Sequence, residues 1–244
     1  MTNGGQRIAT ASGVMLADPA ALGNALGDNT EALFDPDFWA ARGELTAVNS
    51  GRGAAWFIGS ATDQWVLRHY RRGGLIAGIS QDRYVWNGES RVRAFAEWRL
   101  LDLLVQAGLS VPFPVAAWYR RTGFTYRCDL IIRRIADAHP LSAALHAAEI
   151  PHASWRAIGA AIAGLHRAGV DHADLNAHNI LLDASHRVSV IDFDRGRLRT
   201  PGAWRLRNLQ RLRRSLLKIS RALPPGRFTA EAWEALMAGY RTAA

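Results

Sequence analysis

The chain contains a single cysteine, Cys128, so an intrachain disulfide is excluded and a reducing compartment is the natural setting. That cysteine is expected to serve as a small buried hydrophobe. Among 30 basic residues only one is a lysine, Lys218; the rest are arginines. No run of about 18 apolar residues occurs, so no membrane-spanning helix is expected. The opening MTNGGQRIATASGVMLADPA has no basic start leading into an apolar core and does not read as a secretory signal. Any membrane contact is therefore expected to be peripheral. Internal repeats and low-complexity segments are also absent.

What is present is a chain of 244 residues with 49% hydrophobic content, enough for one large domain or two small lobes with a proper core. The formal charge of +9 favours an anionic partner, whether nucleotide, nucleic acid or acidic membrane surface.

Residues 1–45 read as an N-terminal extension packed on the main fold. AAWFIGS and QWVLRHY, separated by a polar ATD, read as a hairpin. Residues 73–89 are glycine-rich and polar, a loop pattern. SRVRAFAEWRLLDLLVQA at 90–107 reads as a helix stopped at Gly108, with an apolar stripe of Val92, Ala96, Leu100 and Leu103. AAWYR and YRCDLIIRRI form two more expected strands, turning at Thr122-Gly123. A second helix is expected over 154–168, capped by Ser154, stopped by Gly169, with Trp155, Ile158, Ile162 and Leu165 on one face. The order predicts an α+β fold with two lobes joined near 133–142: a β-rich lobe over 1–135 carrying one helix, and a mainly helical lobe over 136–244.

The densest chemistry lies in HADLNAHNILLD at 172–183 and VIDFD at 190–194. NILL and VSVI flank the turn DASHR, and antiparallel pairing around it sets Leu182 opposite Val188. Asn179 then faces Ile191, one step from Asp192. Two oxygen-bearing side chains meet at the open end of the hairpin, a partial ligand set suited to Mg²⁺ whose shell is completed by phosphate and water. Asp174, in the loop entering the hairpin, can face the same space and accept a hydroxyl proton. His172 reads as a structural brace and His178 as a local loop residue.

The spacing His172-x-Asp174-x-x-x-x-Asn179, followed thirteen residues later by Asp192-Phe193, resembles the catalytic loop and metal-binding segment of protein-kinase-like enzymes. That resemblance implies a two-lobed protein-kinase-like fold with ATP held by the N-terminal lobe. A strand cation should reach the phosphates there, but Lys218 lies beyond Asp192 and cannot serve. Arg68, in WVLRHY, shares a strand face with Val66 and Tyr70 and needs a partner. Glu97, on a helix face with Leu101 and Leu104, supplies one. A planar, permanently charged arginine so paired can still clamp phosphate oxygens. Gly51 and Gly53 in NSGRGAAWF permit close backbone approach and are expected to cover the phosphates.

Asn176 stands where Ser/Thr protein kinases usually carry lysine, Asp194 replaces the glycine of Asp-Phe-Gly, and the 52 residues after Asp192 hold no Ala-Pro-Glu. A small-molecule or glycan kinase is favoured. The segment 199–221 carries eight basic residues among Leu206, Leu209, Leu212, Leu216 and Leu217. As a helix it would either rest on anionic lipid head groups or form a lobe helix with a solvated basic face.

The segments LRHYRRGG, FAEWRLL, GLSVPFPVA, HADLNAHNILLD, VIDFDRG and WRLRNLQRLRRSL make most of the chain similar to the lipopolysaccharide kinase family, in particular to 3-deoxy-D-manno-octulosonic acid (Kdo) kinases. The resemblance implies ATP-dependent phosphorylation of the Kdo 4-hydroxyl on a Kdo-lipid A precursor, at the cytoplasmic face of the bacterial inner membrane. Arg71, Arg72 and Arg195 are candidates for anionic groups of that acceptor. A heptose or other glycan kinase, and a non-catalytic kinase-like protein binding nucleotide or lipid, are the alternatives. A nucleic-acid partner is not expected, because few aromatics follow Trp204 to stack on bases. The sequence leaves the oligomeric state unknown.

Overall fold

The computed structural model describes residues 5–23, 30–48, 54–60, 63–71 and 82–243. The chain divides into two compact units, one of Met1–Asp102 with Phe113–Arg134, the other of Leu103–Pro112 with Ile135–Ala244.

The first unit is built on an eight-stranded sheet. Its strands are β1 (Gln6–Ala9), β2 (Val14–Ala17), β3 (Leu45–Val48), β4 (Ala54–Gly59), β5 (Gln64–His69), β6 (Tyr84–Val85), β7 (Pro114–Thr122) and β8 (Thr125–Arg133). The order is β1-β2-β7-β8-β5-β4-β3, with β6 paired to β8, and every pairing is antiparallel. The expected hairpins β4–β5 and β7–β8 both form, the second turning at Gly123 with φ +58°. The N-terminal segment does more than pack on this sheet, because β1 and β2 extend it through β7.

Strand alternation sends successive side chains of β5 to opposite faces. Trp65 and Leu67 join Met15, Leu33, Trp39 and Ile131 in a core on one face. Short helix α2 (Pro36–Ala41), capped by the Asp35 carboxylate accepting from the Asp37 N–H, delivers Trp39 edge-on to Trp65 with centroids 5.9 Å apart. The opposite face carries Val66 and Arg68 and lies toward the helix that holds Glu97.

Helix α3 runs Arg93–Gln106 after a short 3-10 turn at Glu89–Arg91. Of the stripe expected at Val92, Ala96, Leu100 and Leu103, Val92 and Leu100 are buried, whereas Ala96 is exposed and Leu103 is 40% exposed. Ala94, Phe95, Glu97, Trp98, Leu101 and Leu104 are buried instead. The Phe95 and Trp98 rings offer far more apolar area than the alanine and set the rotation of the helix.

The second unit is mainly helical. It contains β9 (Ala138–Pro140), α4 (Leu141–Ala147), α5 (His152–Arg167), β10 (Val170–Asp171), β11 (Ile180–Asp183), β12 (Val188–Val190), β13 (Arg197–Leu198), α6 (Trp204–Ser220) and α7 (Ala230–Ala243). Residues 103–112 belong with it because the Val190 N–H donates to the Ser110 carbonyl at 3.1 Å and the Ser110 and Ser189 hydroxyls are 2.7 Å apart.

On α5 the side chains of Trp155, Ile158, Ile162 and Leu165 are all buried, as the periodicity requires. Ser154 is not its cap. The helix begins two residues earlier after Pro151, whose fixed φ suits the entry, and Ser154 is buried within the first turn. Gly169, at φ +76°, takes the left-handed turn that ends the helix. Helices α5 and α7 approach closely enough that a Cβ on Gly159 would lie 1.9 Å from the Leu236 carbonyl oxygen.

Candidate active site

In the first unit, Arg68 and Glu97 are brought together. Arg68 on β5 donates from Nη1 to Glu97 Oε1 at 2.7 Å. The Glu97 carboxylate is 1% exposed, and its second oxygen accepts from the Tyr70 hydroxyl. The Arg68 guanidinium also sits 5.6 Å from the Tyr70 ring centre. Burial makes an isolated carboxylate costly, so the two donors are what allow Glu97 to stay there. Arg68 keeps 22% side-chain exposure. Gly51, Gly53 and Arg72 lie outside the described residues. Arg71 is exposed.

In the second unit the hairpin register is as the sequence implies: Leu182 opposite Val188, Ile180 opposite Val190, and the Ile191 N–H donating to the Asn179 carbonyl at 2.9 Å. The loop 172–179 is a series of tight turns. Asn176 accepts the His178 N–H through Oδ1 at 2.8 Å and donates from Nδ2 to the Asp174 carbonyl at 2.9 Å. Asn179 also donates from Nδ2 to the Asp174 carbonyl, at 2.9 Å. That bond fixes the amide so that Oδ1 is the atom available to a cation.

Asp192 adopts φ +67°, a left-handed conformation uncommon for a residue with a Cβ. It follows Ile191, whose carbonyl accepts from His172 Nε2 at 2.9 Å. A nitrogen facing a carbonyl must carry the proton, and burial pushes the His172 pKa down, so the ring is a neutral brace. Its ring packs 4.8 Å from Phe193, which is 1% exposed. His178 is not merely local, since its Nδ1 lies 2.8 Å from the Ser142 hydroxyl on α4.

Sequence reasoning missed the residues that hold this loop from beneath. Asn208, Arg211 and Ser215 occupy positions i, i+3 and i+7 of α6 and so share one face. Asn208 Oδ1 accepts the His172 N–H at 3.1 Å, and the Ser215 hydroxyl accepts the Ala177 N–H at 3.2 Å. Between them Arg211 Nη1 stands 3.8 Å from Asp174 Oδ1. Asn208 Nδ2 donates to Asp171 at 2.9 Å, and its Oδ1 lies 3.3 Å from His166 Nε2. His166 Nδ1 lies 2.8 Å from the Tyr240 hydroxyl, and burial lowers the His166 pKa to about 4. The only signal in the sequence was an asparagine in a helix dominated by Leu and Arg.

The apolar stripe of α6 is narrower than expected. Leu209, Leu212 and Leu216 are buried, whereas Leu206 and Leu217 are 58% and 44% exposed. Leu206, Arg213 and Leu217 fall on one outward face.

Among the described residues no three His, Cys, Asp or Glu side chains cluster as a metal cage. Asn179 and Asp192 form a sparser set, one amide oxygen and one carboxylate, of the kind Mg²⁺ uses when phosphates and water complete its shell. The side-chain exposure of Asp174 is 56%, so its carboxylate is open to an incoming hydroxyl.

Residues 36–240 match the model of the Lipopolysaccharide kinase (Kdo/WaaP) family. A 3-deoxy-D-manno-octulosonic acid kinase of Photobacterium profundum is 40% identical over 217 residues, 89% of this chain and 92% of its own length. One from Vibrio parahaemolyticus is 42% identical over 191 residues, 78% of this chain and 80% of the relative. One from Stenotrophomonas maltophilia is 49% identical over 189 residues, 77% and 75% of the two chains.

Proposed function

The chain belongs to the lipopolysaccharide kinase (Kdo/WaaP) family, and we propose that it is an ATP-dependent Kdo kinase acting on the 4-hydroxyl of a Kdo-bearing lipid A precursor. The two-lobed α+β fold is that of a kinase-like enzyme. The observation that carries the mechanism is the bracing of the 172–179 loop by one face of α6, which holds the loop in place while the Asp174 carboxylate stays exposed.

Asp174 orients the acceptor hydroxyl and takes its proton as the oxygen bonds to the γ-phosphorus of ATP, with the bond to the departing ADP breaking in line. Arg211 steadies the Asp174 carboxylate during this step, a cation supplied from α6 where position 176 offers only an asparagine. Arg68, held by Glu97 and Tyr70, places the ATP phosphates. Asn179 Oδ1 and the Asp192 carboxylate would hold Mg²⁺, which would supply charge neutralisation for the phosphate oxygens. On this reading the acceptor is lipid-linked and the reaction runs at the cytoplasmic face of the inner membrane. No helix among the described residues is long and apolar enough to cross a membrane. The exposed Leu206, Arg213 and Leu217 of α6 support peripheral contact with the anionic surface.

The test is mass spectrometry of a Kdo-bearing lipid A precursor after incubation with the protein, ATP and Mg²⁺. A gain of one phosphate mapped to Kdo is expected. Phosphate appearing only on a heptosylated acceptor would replace the substrate and keep the chemistry, and transfer to neither would overturn the reading.

A further inference from the structure

The β7–β8 hairpin ends in a cationic face that none of the chemistry above uses. Arg120 and Arg127 are direct cross-strand partners, as are Thr122 and Thr125 two residues further along. Opposed residues of antiparallel strands point to the same side, so two like charges face each other, an arrangement that is unfavourable without an anion between them. Arg83, one residue before β6, joins them. Together with Tyr126 these five side chains line a shallow cleft open to solvent.

The acidic groups nearby offset only part of the charge. Asp82 Oδ2 is ion-paired with Arg127 Nε at 2.8 Å, and Glu31, which accepts from the N–H and hydroxyl of Ser12, also interacts with Arg120, so three arginines stand against two carboxylates. Arg83 and Arg120 remain exposed, and Arg121 lies over the Trp86 ring at 4.9 Å while donating to the Gly123 carbonyl across the turn.

A second observation falls at the same place. Two large hydrophobic side chains stay exposed among the described residues of this unit, Val85 at 58% and Phe124 at 87%. Val85 is the cross-strand partner of Thr125, so it borders the cleft, and Phe124 sits at the hairpin turn. Arginines and threonine hydroxyls suit phosphate oxygens, and an aromatic at a braced turn suits the boundary between head groups and acyl chains. Neither feature alone selects an occupant. Their coincidence selects an interface that is anionic at its surface and apolar beneath.

We propose that the tip of the β7–β8 hairpin docks on an anionic phospholipid bilayer, with Arg83, Arg120 and Arg127 receiving head-group phosphate and Phe124 entering the interface. The inference rests on the reading that the protein works at a bilayer, but it names a contact in the unit that does not contain α6. It makes the N-terminal unit a membrane-binding element and not only a nucleotide holder.

The experiment is co-sedimentation of the full chain with vesicles of phosphatidylcholine alone or mixed with phosphatidylglycerol. The proteins compared are the wild type, Phe124→Ser, the double variant Arg83→Gln with Arg120→Gln, and Leu206→Ser with Leu217→Ser. Each surface arginine is expected to contribute about fivefold to partitioning onto the anionic vesicles, so the double variant should fall roughly 25-fold. Phe124→Ser should lose roughly tenfold. Thermal melting should be unchanged for both, since the altered side chains are exposed. Wild-type binding that both hairpin variants retain while the Leu206/Leu217 variant loses it would overturn the hairpin contact and leave membrane association through α6 standing. No wild-type binding would overturn the bilayer reading itself. Release by inorganic phosphate beyond that caused by chloride at equal ionic strength would make the cleft a site for a free anion and would also overturn the docking.

Discussion

The backbone N–H of His172 donates to Oδ1 of Asn208 at 3.1 Å, tying the first residue of the loop to a helix 36 residues away. The same oxygen faces His166 Nε2, and the same amide donates to Asp171. Asn208→Ala leaves two buried donors without an acceptor. It should destabilise the second unit by about 3 kcal/mol and lower kcat more than it changes KM for ATP. Urea unfolding and steady-state kinetics check both. Normal stability with normal kcat would remove Asn208 from the account.

Arg68 and Glu97 form a buried pair whose members cannot be removed singly at low cost. Arg68→Ala removes a charged donor from the buried Glu97 carboxylate, and a loss of about 3–5 kcal/mol is expected. Arg68→Lys keeps a charge near Glu97 and should recover most of the stability, with KM for ATP raised several-fold because the forked geometry is lost. Unchanged ATP kinetics in both variants would dissociate the pair from nucleotide binding.

Stability should fall on mild acidification. The folded pKa of His166 is lowered to about 4 by burial, below the unfolded value near 6.5, and His172 shifts in the same direction. The unfolded chain therefore binds more protons in this window. The contribution is fully present above pH about 6.5 and is lost as pH falls toward 4, on the order of 3 kcal/mol for His166. Melting temperatures measured between pH 7 and pH 4 should decline, and His166→Gln should flatten that decline while lowering the value at pH 7.

Helices α5 and α7 are in contact through backbone at Gly159 and Gly239. A Cβ on Gly239 would lie 2.0 Å from the Arg156 carbonyl oxygen, and one on Gly159 is equally obstructed. Gly159→Ala should therefore destabilise by about 2 kcal/mol or more, although alanine is the better helix former. A gain in melting temperature would show that the helices separate readily.

Some of this was legible in the sequence and some was not, for reasons that differ by residue. The Asn179–Asp192 hairpin was readable because a strand period of two and a short turn leave one register that buries Ile180 and Leu182. The Arg68–Glu97 pair was readable because each charge sat on an apolar face. Ser154 resembled a cap, yet Pro151 starts the helix earlier, so local chemistry yielded to backbone restriction. The rotation of α3 was misread because Phe95 and Trp98 outweigh a stripe drawn through Ala96. Ser215 was invisible because its partner is a backbone N–H, which no side-chain pattern encodes, and Asn208 because the groups it joins, the His172 N–H, Asp171 and His166, are all remote in sequence.

The most direct test of the central claim is Asp174→Asn, an isosteric change at an exposed carboxylate. Single-turnover phosphate transfer to the Kdo-bearing acceptor should be measured alongside the dissociation constant for ATP. The account predicts that transfer drops by about 10²–10⁴-fold with ATP affinity nearly unchanged. Transfer within a few-fold of wild type would contradict it, because the proton of the acceptor hydroxyl would then have to leave by another route.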